Sequence, residues 1–193
     1  MTRIVTIVEG HGEVQAVPIL VRRIAAVLSP DAAPDVPKPI RVKRHRLLKP
    51  NELERAVELA ARQSGPEGHI LILLDADEDC PKELGPEILA RAAAARSDRR
   101  IHVVLAKKEY EAWFLAAAVS LAGVRGLTPE IEPPSDPESI ADAKRWLSDR
   151  MPAGHSYRET LDQPALSAVF DLEAARNARS FDKMWREIDS CLG

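Results

Sequence analysis

The chain has 193 residues, 45% hydrophobic and 30% charged, and a formal net charge of −3. That length buries one substantial core, and the balance is that of an ordinary globular protein rather than of a basic, sequence-independent nucleic-acid binder. Cations can still gather on one surface while acidic site residues depress the total. No window approaches about 18 uninterrupted apolar residues, and MTRIVTIVEG runs straight into a strand pattern without a signal-peptide layout, so a cytoplasmic protein that makes no use of a membrane is expected. Cys80 and Cys191 stand far apart without paired spacing, which suggests neither a disulfide framework nor a thiolate zinc site.

Arg3 to Val8 is a β-branched run ended by the loop Glu9-Gly10-His11-Gly12-Glu13. Val14, Val17, Leu20, Val21, Ile24 and Leu28 then recur at helical spacing. Pro18 falls in the first turn or just beyond it, where its missing N–H is tolerable. Ser29 to Pro39 carries four prolines and reads as a loop. Ile40 to Leu48, IRVKRHRLL, reads as a second strand whose many cations suit a sheet edge. Asn51 is expected to cap a helix running to about Gln63, closed by Gly65-Pro66. Ile70 to Leu74 is five apolar residues in a row, long enough for a strand buried on both faces and too short for a helix. Pro81 to Arg96 reads as a helix, Ile101 to Ala106 as a fourth strand and Glu109 to Leu121 as a further helix.

Strands alternating with helices predict an α/β fold with right-handed crossovers and a four-stranded parallel sheet. The expected order is 2-1-3-4, which places the topological switch between strands one and three and turns their carboxyl ends, Glu9 and Asp75, toward one crevice. The core is expected over residues 1–122, with a helical extension over 123–193 packed on it. In that extension a proline-rich loop (Pro129 to Pro137) precedes a helix to Arg150, a loop from Met151 to Ser156 and one or two helices from Pro164 to Leu192.

The chemistry concentrates where the third strand ends, in DADEDC. Asp75 and Asp77 are one residue apart, so an extended segment points both to the same side, and Asp79 can extend the row. With Glu9 opposite, three or four carboxylates converge, an arrangement that needs protons or a cation between them. Hard oxygen donors select Mg²⁺ or Mn²⁺, which makes phosphoryl chemistry the leading class. The plain alternative is that the aspartates cap the following helix in solvent. An EF-hand is excluded, since Cys80 stands where its turn needs glycine and Pro86 where its glutamate belongs. Gln15 breaks the dinucleotide fingerprint, and no Lys-Ser or Lys-Thr pair makes a phosphate loop. A haloacid-dehalogenase-like phosphatase would want threonine at Asp79, and a response-regulator receiver a fifth strand and an acidic pair after the first.

Together, VEGHGE (8–13), LLDADED (73–79) and AKKEYEAWFLA (106–116) resemble a Toprim domain, the metal-binding module of topoisomerases, primases and OLD-family nucleases. The combination is most similar to small stand-alone Toprim-like bacterial proteins of unassigned function, and the tail LDQPALSAVFDLEAARNARSFDKMW resembles theirs too. The resemblance implies Glu9 as metal ligand or general acid and base, Asp75 and Asp77 as metal ligands, and Glu13 as a ligand for a second metal. It also favours Glu111 over Glu109 as the residue facing the crevice, helical spacing leaving room for one of them. Lys107 or Lys108 would neutralise charge developing on phosphorus, or else stand solvated at a strand end. Cys80-Pro81 departs from the glycine that often follows the Toprim DxD.

His11 lies within reach of a substrate at the first acidic turn, or is simply exposed; Trp113 and Phe114 read as packing residues. Arg41, Lys43, Arg44 and Arg46 either track a phosphate backbone into the crevice or protect an edge strand from aggregation. Two functions follow as expectations. One is a Mg²⁺-dependent phosphodiesterase or nuclease working beside an ATPase, and the other a non-catalytic adaptor whose tail binds an ATPase. Topoisomerase activity is not expected, because neither Tyr110 nor Tyr157 has the context of a nucleophile.

Overall fold

The computed structural model describes residues 1–31 and 33–193; position 32 of the expected 29–39 loop lies outside the described residues. In chain order the elements are β1 (Ile4–Val8), α1 (Glu13–Leu28), β2 (Ile40–Arg41), α2 (Arg44–Leu47), α3 (Glu52–Ser64), β3 (His69–Asp75), α4 (Pro81–Ala95) and β4 (Arg100–Ala106). Then come α5 (Ala112–Ala116), α6 (Ala143–Ser148), α7 (Glu159–Ser167), α8 (Leu172–Ala175) and α9 (Arg179–Leu192). The strands form one parallel sheet in the order β2-β1-β3-β4, as the alternation of elements predicts. Ile4 pairs with His69 and Ile7 with Ile72, while β3 pairs with β4 from His69–Arg100 to Asp75–Ala106.

Side-chain alternation along the strands divides the core in two. Ile4, Val8, Leu71, Leu73, Val104 and Ala106 point into one apolar cluster with α1, α5 and the helices of the C-terminal segment; Val5, Ile7, Ile70, Ile72, Leu74, Val103 and Leu105 point into the other, beneath α3 and α4. Trp113 and Phe114 are fully buried, as packing residues should be. They join Phe170 and Phe181 in an edge-to-face aromatic group with centroid spacings of 5.3–5.6 Å, so residues after 122 share the core of those before it.

Several local expectations need correction. The second strand does not run from Ile40 to Leu48: after Arg41 the chain turns into α2, because Leu47 is buried and the Arg44 side chain reaches in to bond backbone carbonyls at the end of β3. Its edge position stands. Asn51 precedes α3 in a left-handed conformation (φ 67°) and its side chain caps nothing. The expected Glu109–Leu121 helix is only α5 followed by a 3₁₀ turn at Ala118–Leu121. The expected Pro137–Arg150 helix splits into a 3₁₀ turn at Pro137–Ser139 and α6, whose start is capped by Asp142 accepting from the Arg145 N–H. Three helices rather than one or two follow Tyr157, and the first begins at Glu159, not Pro164.

Candidate functional site

Because β1 and β3 are hydrogen-bonded neighbours, their carboxyl ends deliver two acids to one place: Glu9 Oε1 accepts the backbone N–H of Asp75 at 2.7 Å. Glu13, the first residue of α1, folds back so that its Oε2 accepts the N–H groups of Glu9 and Gly10, both at 2.9 Å. Asp75 Oδ1 accepts from the Tyr110 N–H at 2.7 Å. Glu111 completes the inner group, with Oε1 accepting from the Tyr157 hydroxyl (2.8 Å) and Gln163 Nε2 (3.2 Å). The glycines of the first loop are needed because α7 lies directly on them. A Cβ at Gly12 would fall 2.3 Å from Gln163 Oε1, and the Gly12 N–H donates to Glu159 Oε1 at 3.1 Å.

One cation enters this group. Lys144, from α6, places Nζ 2.9 Å from Glu109 Oε1, as a hydrogen bond, and 3.0 Å from Glu111 Oε2. The second contact has the distance of an ion pair without hydrogen-bond angles, so Glu111 Oε2 is enclosed with no hydrogen-bond partner among the described residues. Both glutamates reach the same lysine because α5 starts only at Ala112, leaving Glu109 and Glu111 in the turn that leads into it, where the face argument for a continuous helix does not apply. Burial is the first cause that raises the carboxyls of Glu9, Glu13, Asp75 and Glu111 above their usual range. Mutual repulsion adds to it, and Glu13 is pushed up to about 8. Burial works against the charge on Lys144, but Glu111, Asp75 and Glu109 hold it protonated.

Asp77 and Asp79 belong to an outer rim. Asp77 adopts φ 50°, which breaks the extended geometry and turns its side chain outward, 57% exposed, so it does not share the direction of Asp75. Arg44 organises this rim. It donates to the carbonyls of Asp75 (3.0 Å) and Ala76 (3.3 Å), lies 3.5 Å from Asp77 Oδ2 and pairs with Asp79. With Glu9, Lys43, His45 and Asp77 it lines an open cleft of about 330 Å³. Arg41 donates to the Glu9 carbonyl at 3.4 Å, whereas Arg46 turns away to Glu52 at 2.7 Å. Lys108 pairs with Glu78 at 2.8 Å, Lys107 and His11 are exposed, and the lysine among the buried acids is Lys144. Lys144, Tyr157, Glu159 and Gln163 carry no local motif; of the four only Gln163 falls in the stretch from Leu161 to Trp185 that resembles the small Toprim-like proteins, so the sequence held no signal for the other three.

A divalent cation fits the donor chemistry. Glu9, Glu13 and Asp75 each tie one oxygen to backbone N–H groups, which fixes the carboxylates while their second oxygens take no hydrogen bond among the described residues. No three acidic ligand atoms lie within 4.8 Å of one another among the described residues, so a cation here would be held by one or two carboxylates and water, the usual arrangement for Mg²⁺.

Fold and site define a class: a parallel α/β protein in which half-buried Glu9 and Asp75, at the carboxyl ends of the two central strands, gather with buried Glu13 and Glu111. The chain belongs to the family described as Domain of unknown function (DUF4276), whose model matches residues 8–189. No curated protein and no solved structure matches it. No helix among the described residues is long and apolar enough to cross a membrane.

Proposed function

We propose that this protein is a Mg²⁺- or Mn²⁺-dependent phosphodiesterase of Toprim type that acts on nucleic acid, with an ATPase as working partner. The observation that carries the reading is the bond from the Asp75 N–H to Glu9, which joins the two acidic turns at the switch point beside Glu13 and Glu111. Four buried or half-buried acids with one lysine among them hold protons that a cation would displace, since a bound positive charge offsets the burial and repulsion that raise them. Bound there, a divalent metal would supply an activated water and draw charge from phosphorus. Glu9 and Asp75 would hold it, and Glu13 and Glu111 would balance its charge as they give up the protons that burial makes them keep. Arg44 and Lys43, on the cleft beside Glu9, suit a phosphodiester backbone. The ATPase rests on the resemblance to OLD-like modules alone.

A second reading, a non-catalytic adaptor, has its own support in the ion pairs: Arg44 already neutralises Asp77 and Asp79, and Lys144 neutralises Glu109 and Glu111. Cleavage of single- and double-stranded DNA and RNA with Mn²⁺, by wild type and Asp75→Asn, separates the two. Metal-stimulated cleavage lost in the variant supports the enzyme. Retained cleavage sinks the site assignment, and no cleavage by folded wild type, alone or with its ATPase, supports the adaptor.

A further inference from the structure

The opposite end of the sheet carries a second group of ligands. His69 begins β3, His102 lies on β4 and Cys191 on α9, and one ligand atom from each lies within 4.8 Å of the others. His69 Nδ1 is 2.9 Å from His102 Nε2, and His102 Nδ1 is 2.7 Å from Glu187 Oε2. Glu187 and Cys191 are four residues apart on α9, so one helix face presents both to the sheet. We propose that His69, His102 and Cys191 bind zinc, with Glu187 orienting His102.

The hydrogen bonds set up this chemistry. Glu187 accepts the Nδ1 proton of His102, which fixes the tautomer and leaves the Nε2 lone pair as a donor to metal, the carboxylate–histidine arrangement that supports metal-bound imidazoles. In the metal-free state that lone pair takes the Nδ1 proton of His69. On binding, His69 shifts its proton to Nε2 and ligates through Nδ1, while the Cys191 thiol releases its proton to solvent, so one proton leaves per zinc. Two imidazoles and a thiolate select zinc over the hard cations that suit the acidic pocket. Zinc–nitrogen bonds of about 2.0–2.1 Å in a tetrahedron separate two nitrogens by about 3.3 Å, so the nitrogens of His69 and His102 need to part by about 0.4 Å and the two rings, now aimed at each other, to tilt until both lone pairs meet the ion. His69 and Cys191 also line a cavity of about 750 Å³, from which water can fill the fourth position. The bound ion would tie α9 to the central strand β3 and the edge strand β4.

The test uses the full chain stripped with chelator and titrated with Zn²⁺ alone or Co²⁺ alone. Expected are one zinc per chain surviving desalting, about one proton released, a higher thermal midpoint, and a thiolate-to-cobalt charge-transfer band with Co²⁺. Cys191→Ser and His102→Gln should lose the tight zinc, Glu187→Gln should weaken it about 10–100-fold, and Asp75→Asn should keep it. No retained zinc in wild type, a cobalt spectrum without the thiolate band, or full zinc in Cys191→Ser would each overturn the assignment and leave a hydrogen-bonded His–His–Glu chain. The wild-type cobalt spectrum decides even if the variants fail to fold.

Discussion

The ammonium of Lys144 stands 3.0 Å from a Glu111 carboxylate that is wholly shielded from solvent. Removing one partner of a buried pair leaves the other's charge uncompensated. Lys144→Met should therefore destabilise the protein by about 3 kcal/mol, the low end for such pairs, because protonation of Glu111 relieves part of the cost. Adding Glu111→Gln should restore much of the loss. Urea denaturation of the two single variants and the double variant measures the coupling; simple additivity would show that the pair is not energetically linked.

Asp75 sits where function and stability oppose each other. Its carboxyl is held well above the usual range, by burial first and then by Glu13 and Glu111, so a neutral isostere removes repulsion. Asp75→Asn should lower metal-stimulated cleavage by at least about 100-fold while leaving the metal-free protein as stable as wild type or more so. Parallel nuclease assays and thermal melts in chelator check both halves.

In chelator the acidic pocket should also set the pH dependence of stability. Burial raises Glu13 from 4.5 to about 8, so between those values the folded chain keeps a proton that the unfolded chain gives up. This contribution is complete below about 4.5 and lost as pH rises through about 8. The thermal midpoint of metal-free protein should fall across that window, and Glu13→Gln should flatten the slope. Equal slopes in the two proteins would remove Glu13 as the cause.

Phe181 on α9 packs edge-to-face on Trp113 of α5 and on Phe170, so the C-terminal helices and the segment before residue 122 share their largest side chains. Phe181→Ala should cost about 3–5 kcal/mol, and unfolding followed by tryptophan fluorescence and circular dichroism should show one coincident transition in both proteins. Separate transitions would mean that the segment after residue 122 folds on its own.

The sequence by itself determined the parallel α/β sheet, its order and the meeting of Glu9 with Asp75. Those depend on short-range signals: an apolar run of strand length, a glycine turn, and the handedness of the crossovers between them. Tertiary structure alone decided the rest. IRVKRHRLL has the composition of an edge strand, yet it becomes a helix after Arg41 because Arg44 finds carbonyls and carboxylates on a strand distant in sequence. DADED has the spacing of an extended row, yet the left-handed backbone of Asp77, whose N–H bonds the Lys108 carbonyl at 3.1 Å, sends its side chain to the rim. Lys107 and Lys108 stand near the acids in sequence, but Lys144 stands among them in space. His69, His102 and Cys191 were illegible for the same reason. Ligand spacing is a local signal, whereas this cluster is assembled by strand register and by the docking of the last helix.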